Sequence, residues 1–374
     1  MSLPRVHLNE EVMREGMQIE SVEIAPADKV RLLDALSATG LAAINVGSFV
    51  SPSYTPQMKE IAEVVRGFTP RPGVRYTYLA MNGRGFERAA EFPVLQRPDY
   101  PPLLICHLCD TFVRRNANRS QADEIATWPL IADRARDAGT PAGGIGINAA
   151  FGSNFEGRFG LDERMAVLER AHQVWDERGI PVTFLMLGDP MSWNTPAETT
   201  ATLEAALERW PEIRDVYLHL HDARGMALAS VYAAVTTIGN RDLHLDTTAG
   251  GIGGCPYCGN GRATGMAATE DVVHMLTDMG IDTGVDLDAL LRAVRLLEAI
   301  IGRPVPGRVA HAGPRPATPD RFYDPNLPLV ETYEEAGHWH RGDGVFATPH
   351  RPWREPIPEP RTAEERRSAL KEES

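Results

Sequence analysis

Lysine is almost missing from this 374-residue chain: only Lys29, Lys59 and Lys371 occur. The first two fall in amphipathic stretches of outer-helix type and the third in a charged end. A Schiff-base enzyme needs a desolvated lysine inside its site, so that chemistry is excluded. A carboxyltransferase built around an interior carbamylated lysine is excluded for the same reason. Positive charge is short overall, with 38 Lys and Arg against 51 Asp and Glu and a formal net charge of −13. That balance argues against a nucleic-acid partner and an anionic membrane surface, which need a concentrated positive stripe; small anionic substrates stay open. No apolar run reaches the roughly 18 residues that a membrane-spanning helix needs. The chain enters a strand-like segment at Pro4–Leu8 without a charged leader and apolar core, so a cytoplasmic location is expected.

Cysteine is scarce as well. The four present, Cys106, Cys109, Cys255 and Cys258, form two CxxC pairs, a spacing that can hold structural zinc. The first pair lies at an apolar run, Leu103–Leu108, where a cysteine usually serves as a small hydrophobe. The second sits in a glycine-rich loop, where a thiol is accessible and potentially reactive. It comes too late in the chain for a thioredoxin-like motif, and a reversible Cys255–Cys258 disulfide stays open.

What is present is an alternation of strand-like and helical segments. Strands are expected at Arg5–Leu8, Ala42–Val46, Val74–Ala80, Leu103–Leu108, Gly144–Asn148, Val182–Leu187, Val216–Leu220 and Leu243–Asp246. Helices are expected at Ala27–Thr39, Gln57–Arg66, Ser120–Ala138, Asp162–Arg178, Pro196–Arg209, Ala227–Ile238 and Thr269–Met279. Eight βα units in about 300 residues fit an α/β fold of the TIM (β/α)8 barrel type better than an open doubly wound sheet, which stays the alternative. The barrel is expected over residues 1–305. Residues 306–374, rich in proline and aromatics and containing the pair His338 and His340 around Trp339, read as a C-terminal extension.

In such a barrel the active site lies at the C-terminal ends of the strands. The polar residues collected there are Arg14 and Glu15 after strand one, Asn45 on strand two, Asp110 after strand four, Asp189 after strand six, and His219, His221 and Asp222 on strand seven. Side chains alternate along a strand, so His219 and His221 face the same way and can share a metal. Strands one, seven and eight are neighbours in a closed barrel, so a carboxylate from strand one can join them. Two nitrogens and an oxygen suit Mg, Mn, Fe, Co or Zn with positions left for substrate. Gly259-Asn260-Gly261 is not a dinucleotide fingerprint, because no strand and acidic ribose partner follow it. The glycines of that loop either give a lid its mobility or let backbone amides approach an anionic substrate.

The motifs REGMQ at Arg14–Gln18, GSFVSPSYTPQM at Gly47–Met58, LGD at Leu187–Asp189, HLHDARGMALA at His219–Ala229 and GGIGGCPY at Gly250–Tyr257 occur in this order. They resemble the 3-hydroxy-3-methylglutaryl-CoA lyases of the DRE-TIM metallolyase superfamily, which also holds isopropylmalate and homocitrate synthases. The resemblance covers most of Glu10 to Ile301. It implies a divalent-metal retro-Claisen cleavage of a 3-hydroxyacyl-CoA to an acyl-CoA and a keto acid, with Mg or Mn favoured over Zn, Co or Fe. Carried over by position, Glu15, His219 and His221 hold the metal. Arg14 stabilises the enolate, Asp189 handles the hydroxyl proton and Cys255 protonates the acyl-CoA enolate. Gly253, Gly254 and Asn260 line the coenzyme A side of the loop, and a homo-oligomer is implied.

Three departures stand out. The family's aspartate ligand is Glu15, its asparagine ligand aligns with Met266 so that Asn260 or water must substitute, and its strand-two glutamate is Asn45. The condensing direction, or a metal-binding barrel without catalysis, are the competing readings.

Overall fold

The computed structural model of the protein describes residues 3–259, 264–358, 365 and 368. Its contacts divide into two units, Met1–Ala310 and His311–Ser374.

The first unit contains eight parallel strands: β1 (Arg5–Glu10), β2 (Ala43–Ser48), β3 (Arg75–Leu79), β4 (Leu103–His107), β5 (Gly143–Asn148), β6 (Val182–Asp189), β7 (Asp215–Leu220) and β8 (Asp242–Thr247). Their hydrogen-bonded order is β3-β2-β1-β8-β7-β6-β5-β4. Pairing of β1 with β8, Asn9 opposite Asp246, is what an open doubly wound sheet does not have. The fold is a TIM barrel. Among the described residues no ladder joins β3 to β4; the incoming chain bonds there instead, Gln96 N donating to Tyr76 O at 2.8 Å.

Helices fill the outside as the periodicity predicts, with three differences, the first being that the helix expected over Gln57–Arg66 is a 3-10 turn, Pro56–Met58, followed by a helix over Ile61–Gly67. The expected helix over Ser120–Ala138 is two helices, Gln121–Ala126 and Trp128–Asp137, because Pro129 has no N–H to continue the first. Gly83–Ala90, Asp110–Ala117 and Leu287–Ile301 are further helices. Glycine lets β5 and its covering helix approach closely: a Cβ on Gly143 would stand 2.5 Å from the Trp175 ring, and Trp175 Nε1 donates to Gly144 O at 2.9 Å.

Two buried carboxyl groups tie the barrel rim to its loops. Glu10 accepts from Val12 N and Ala249 N, both at 2.9 Å, and from Thr269 Oγ1 at 2.7 Å. Glu270 accepts from Gly250 N at 2.9 Å. Burial pushes Glu10 up to about 7, and burial with the neighbouring Asp271 pushes Glu270 up to about 8. Both pKa values are raised by folding, so the folded state binds more protons than the unfolded one from about pH 4.5 upward, and stability is lost as pH rises through 7 to 8. We expect the fall in Tm between pH 6 and pH 9 to be smaller in Glu270→Gln than in the parent, by about 3 °C or more, in thermal scans.

In the second unit Trp339 Nε1 donates to His311 O at 2.6 Å, and His338 packs on Phe346 with ring centroids 5.3 Å apart. The HWH segment therefore packs, and among the described residues it joins no metal-type cluster.

Candidate active site

β7 carries His219 near its end, and the chain stays extended to His221, whose N–H donates to Asp189 O at 3.1 Å. The two rings face each other with Nε2 atoms 3.2 Å apart. Glu15 reaches them from a single π-type turn, Val12–Gly16, that follows β1, with Oε1 3.5 Å from His221 Nε2. These three form the one cluster of metal-ligand type among the described residues, each offering an atom within 4.8 Å of the others. Adjacent ligands about 2.1 Å from a shared ion stand roughly 3 Å apart, so the spacing fits a divalent cation. The tautomer fits too. His219 Nδ1 lies 2.7 Å from Asp246 Oδ2, which leaves Nε2 with its lone pair directed at the cluster. Burial opposes the charged ring, but Asp246 and Glu15 outweigh it and hold His219 above its ordinary value. Asp246 lies opposite His219 in the β8–β7 register and also accepts from Tyr217 Oη at 2.5 Å.

Arg14 stands beside Glu15 and bonds to its carboxylate, while its Nε donates to Glu11 Oε2 at 2.7 Å. Burial works against the guanidinium charge, but Glu11 and Glu15 outweigh that and keep Arg14 cationic. Asn45 Nδ2 donates to the other Glu11 oxygen at 3.1 Å. Asp189 is fully buried at the end of β6. Its Oδ2 accepts from Asn194 N and Nδ2, both at 2.6 Å, and its Oδ1 meets no donor among the described residues. Burial raises its pKa despite those bonds. Asn194 also donates to His221 O at 2.9 Å, fixing Asp189 and His221 to each other.

The loop after β8 lies over the cluster. A Cβ on Gly253, at φ +128°, would stand 3.1 Å from Glu15 O, and Gln18 Nε2 donates to Gly254 O at 3.0 Å. Gly253 and Gly254 thus permit contact with the Glu15 turn. Cys255 is half-buried and packs against a buried cluster that contains Cys258, Cys109, Phe112 and Met191. Burial, then the neighbouring Cys255 and the charges of Glu15 and Asp189, push the Cys258 thiol far up. All four cysteines are free, and a four-thiolate zinc site is not formed: Cys106 stands apart, its Sγ bonding to His107 O at 3.6 Å.

The profile of the HMGL-like family matches residues 5–297. The chain belongs to this family. It is 33% identical over 304 residues to the hydroxymethylglutaryl-CoA lyase of Bacillus subtilis, covering 81% of this chain and 96% of that one. Identity is 36% over 313 residues to the 3-hydroxy-3-isohexenylglutaryl-CoA/hydroxymethylglutaryl-CoA lyase of Pseudomonas aeruginosa, covering 83% and 98%. The (R)-citramalyl-CoA lyase of Chloroflexus aurantiacus is 33% identical over 311 residues, covering 80% and 92%. Among solved structures, the HMG-CoA lyase of B. subtilis superposes with a TM-score of 0.68 at 33% identity over 83% of this chain and 98% of that one. An HMG-CoA lyase from Acinetobacter baumannii, in complex with coenzyme A and 3-methylmalate, gives 0.67 at 29% identity, covering 85% and 97%.

Against the HMGL-like pattern the departures acquire a geometry. The Glu11 carboxyl group stands between Asn45 and Arg14, which both donate to it. Met266 is buried, with its backbone bridged to His221, and offers only a thioether; Asn260 lies outside the described residues. Asp110 does not join the site, because it binds Arg114 Nε at 2.6 Å and Gln121 N at 2.7 Å. Asp222 is likewise occupied, accepting from Ala227 N at 2.7 Å. Glu11, Asn194 and Asp246 were missed by the sequence reading. For Asp246 a signal existed: Asp242, His244 and Asp246 alternate along a strand next to the histidine pair.

Proposed function

We propose that this chain is a divalent-metal-dependent lyase that cleaves a 3-hydroxyacyl-CoA of the hydroxymethylglutaryl-CoA type into an acyl-CoA and a keto acid. The observation that carries the reading is the convergence of Glu15 Oε1, His219 Nε2 and His221 Nε2 beside Arg14. A divalent ion held by these three would supply Lewis acidity to the substrate's C3 oxygen and orient its carbonyl. Mg or Mn suits the carboxylate and imidazole set with open positions.

The chain's own groups account for the proton and electron movements. Asp189, buried with a raised pKa and one unengaged oxygen, takes the proton of the C3 hydroxyl. The O–H electron pair becomes the ketone C=O, the C2–C3 bond breaks, and its pair passes into the thioester as an enolate. Arg14, held by Glu11 on one side, stabilises the enolate oxygen. Cys255, on the loop resting on Glu15, gives its thiol proton to C2, leaving a thiolate, and the product acyl-CoA departs. Gly253 and Gly254 bring the loop backbone close enough to exclude water before the enolate forms. The reading includes a homo-oligomer and a cytoplasmic location, where free thiols persist.

A mass-spectrometric screen of 3-hydroxyacyl-CoA thioesters tests it. Keto acid and acyl-CoA released in equal amounts support the reading; steady release of free CoA from acyl-CoA plus α-keto acid, with no cleavage, overturns it in favour of condensation. Cys255→Ala is expected to lower kcat about 10²-fold with metal content unchanged, as measured by elemental analysis. Loss of metal in that variant would give the loop a structural task instead.

A further inference from the structure

Part of the interior of this barrel is lined by polar side chains where branched apolar ones are usual. A cavity of about 100 Å³ lies below Arg14 and Glu11, lined by Asn9, Asn45, Thr77, Arg75, Tyr217 and His244. It reaches the seam where β3 and β4 share no ladder, and there Pro98, Asp99 and Tyr100 close it. That space holds several groups of water size, and its wall is mostly hydrogen-bonding.

Arg75 is the notable wall residue. Its Nη1 pairs with Asp99 at 3.1 Å, but the Asp99 side chain is 86% exposed, so water screens the pair and it holds little. Its Nε is buried and meets no acceptor among the described residues. A buried donor in that state calls for a partner from outside the chain. Depth can be read from the register. Asn45 pairs with Thr77 and Ala43 with Arg75, so Arg75 springs from one inward-facing layer below Asn45, about 6.6 Å further down the barrel.

We propose that this cavity receives the C3 substituent of the substrate, and that Arg75 selects a substituent about three to five atoms long ending in a carboxylate. The inference rests on the lyase reading for the direction of approach. With the C3 hydroxyl at the histidine cluster and the thioester oxygen at Arg14, a substituent turned down the barrel axis enters the cavity. An aliphatic chain there would displace water from Asn9, Asn45 and Arg75 and return no hydrogen bond. A carboxylate satisfies Arg75 Nε and can accept from Asn45 or Thr77. Arg75 acts by selecting the bound substrate and touches none of the reacting atoms.

The test uses two 3-hydroxyglutaryl-CoA thioesters, one with n-pentyl and one with 4-carboxybutyl at C3, matched in length. The parent protein is expected to show kcat/KM at least about 10²-fold higher for the carboxylate-ended compound. Arg75→Met is expected to cut that preference to under about 10-fold by losing turnover of the carboxylate-ended compound alone. Equal use of the two, preference for n-pentyl, or an equal loss on both in Arg75→Met would overturn the subsite. Equilibrium binding of the same pair to Asp189→Asn separates this from the lyase reading. Preferential binding of the carboxylate-ended compound, with no cleavage of any thioester by the parent, overturns the lyase reading and sustains the subsite; equal binding overturns the subsite whatever the turnover.

Discussion

His219→Ala is expected to reduce bound divalent metal from about one per chain to under about a tenth, and kcat by at least about 10³-fold. The size follows from two losses that act together. One of the three converging donors disappears, leaving Glu15 and His221 3.5 Å apart, and two donors hold a hard cation poorly against water. The Lewis acidity supplied at this point stabilises the developing charge by several kcal/mol, and each 1.36 kcal/mol is a factor of ten in rate. Asp246→Asn provides the graded control. It keeps the ring but changes what holds Nδ1, 2.7 Å away, so metal affinity should fall about 10- to 100-fold. Elemental analysis and titration with Mg and Mn measure both. A His219→Ala protein that binds metal as the parent does would remove the histidine pair from the account.

Asp189→Asn carries the second large effect, a fall in kcat of about 10³-fold with metal content and substrate affinity within a few-fold of the parent. The replacement keeps the size of the side chain and can keep an acceptor toward Asn194, which binds Oδ2 through two donors at 2.6 Å. What it removes is the unengaged Oδ1 as a base. General-base catalysis contributes about 10²- to 10⁴-fold, and burial, which holds Asp189 above its ordinary value, brings its basicity closer to the task. Single-turnover and binding measurements separate the two parameters. A loss confined to KM would mean that Asp189 binds substrate and moves no proton.

The barrel was legible because each strand is a short apolar run between helical periods, and the observed strands lie within a residue or two of those segments. The helix at Gly83–Ala90 was not legible, since two glycines and three charged residues give it no continuous apolar face. Arg14, Glu15, Asp189, His219 and His221 were legible because the barrel places every strand end on one rim. Glu11 was not: where β1 gives way to an unusual turn through two successive glutamates, only the folded structure separates Glu10, which clamps the rim from outside the barrel, from Glu11, which holds Arg14. Arg75 was hidden for a related reason. An arginine on a strand reads as edge or solvent until the missing β3–β4 ladder and the cavity beside it are known.

Cleavage of 3-hydroxy-3-methylglutaryl-CoA before and after chelation tests the central claim most directly. Protein stripped of divalent ions should release less than about a thousandth of the keto acid released by the intact protein, and Mg or Mn should restore the rate in the parent but not in His219→Ala. Undiminished cleavage by the stripped protein, or restoration in His219→Ala, would contradict the account.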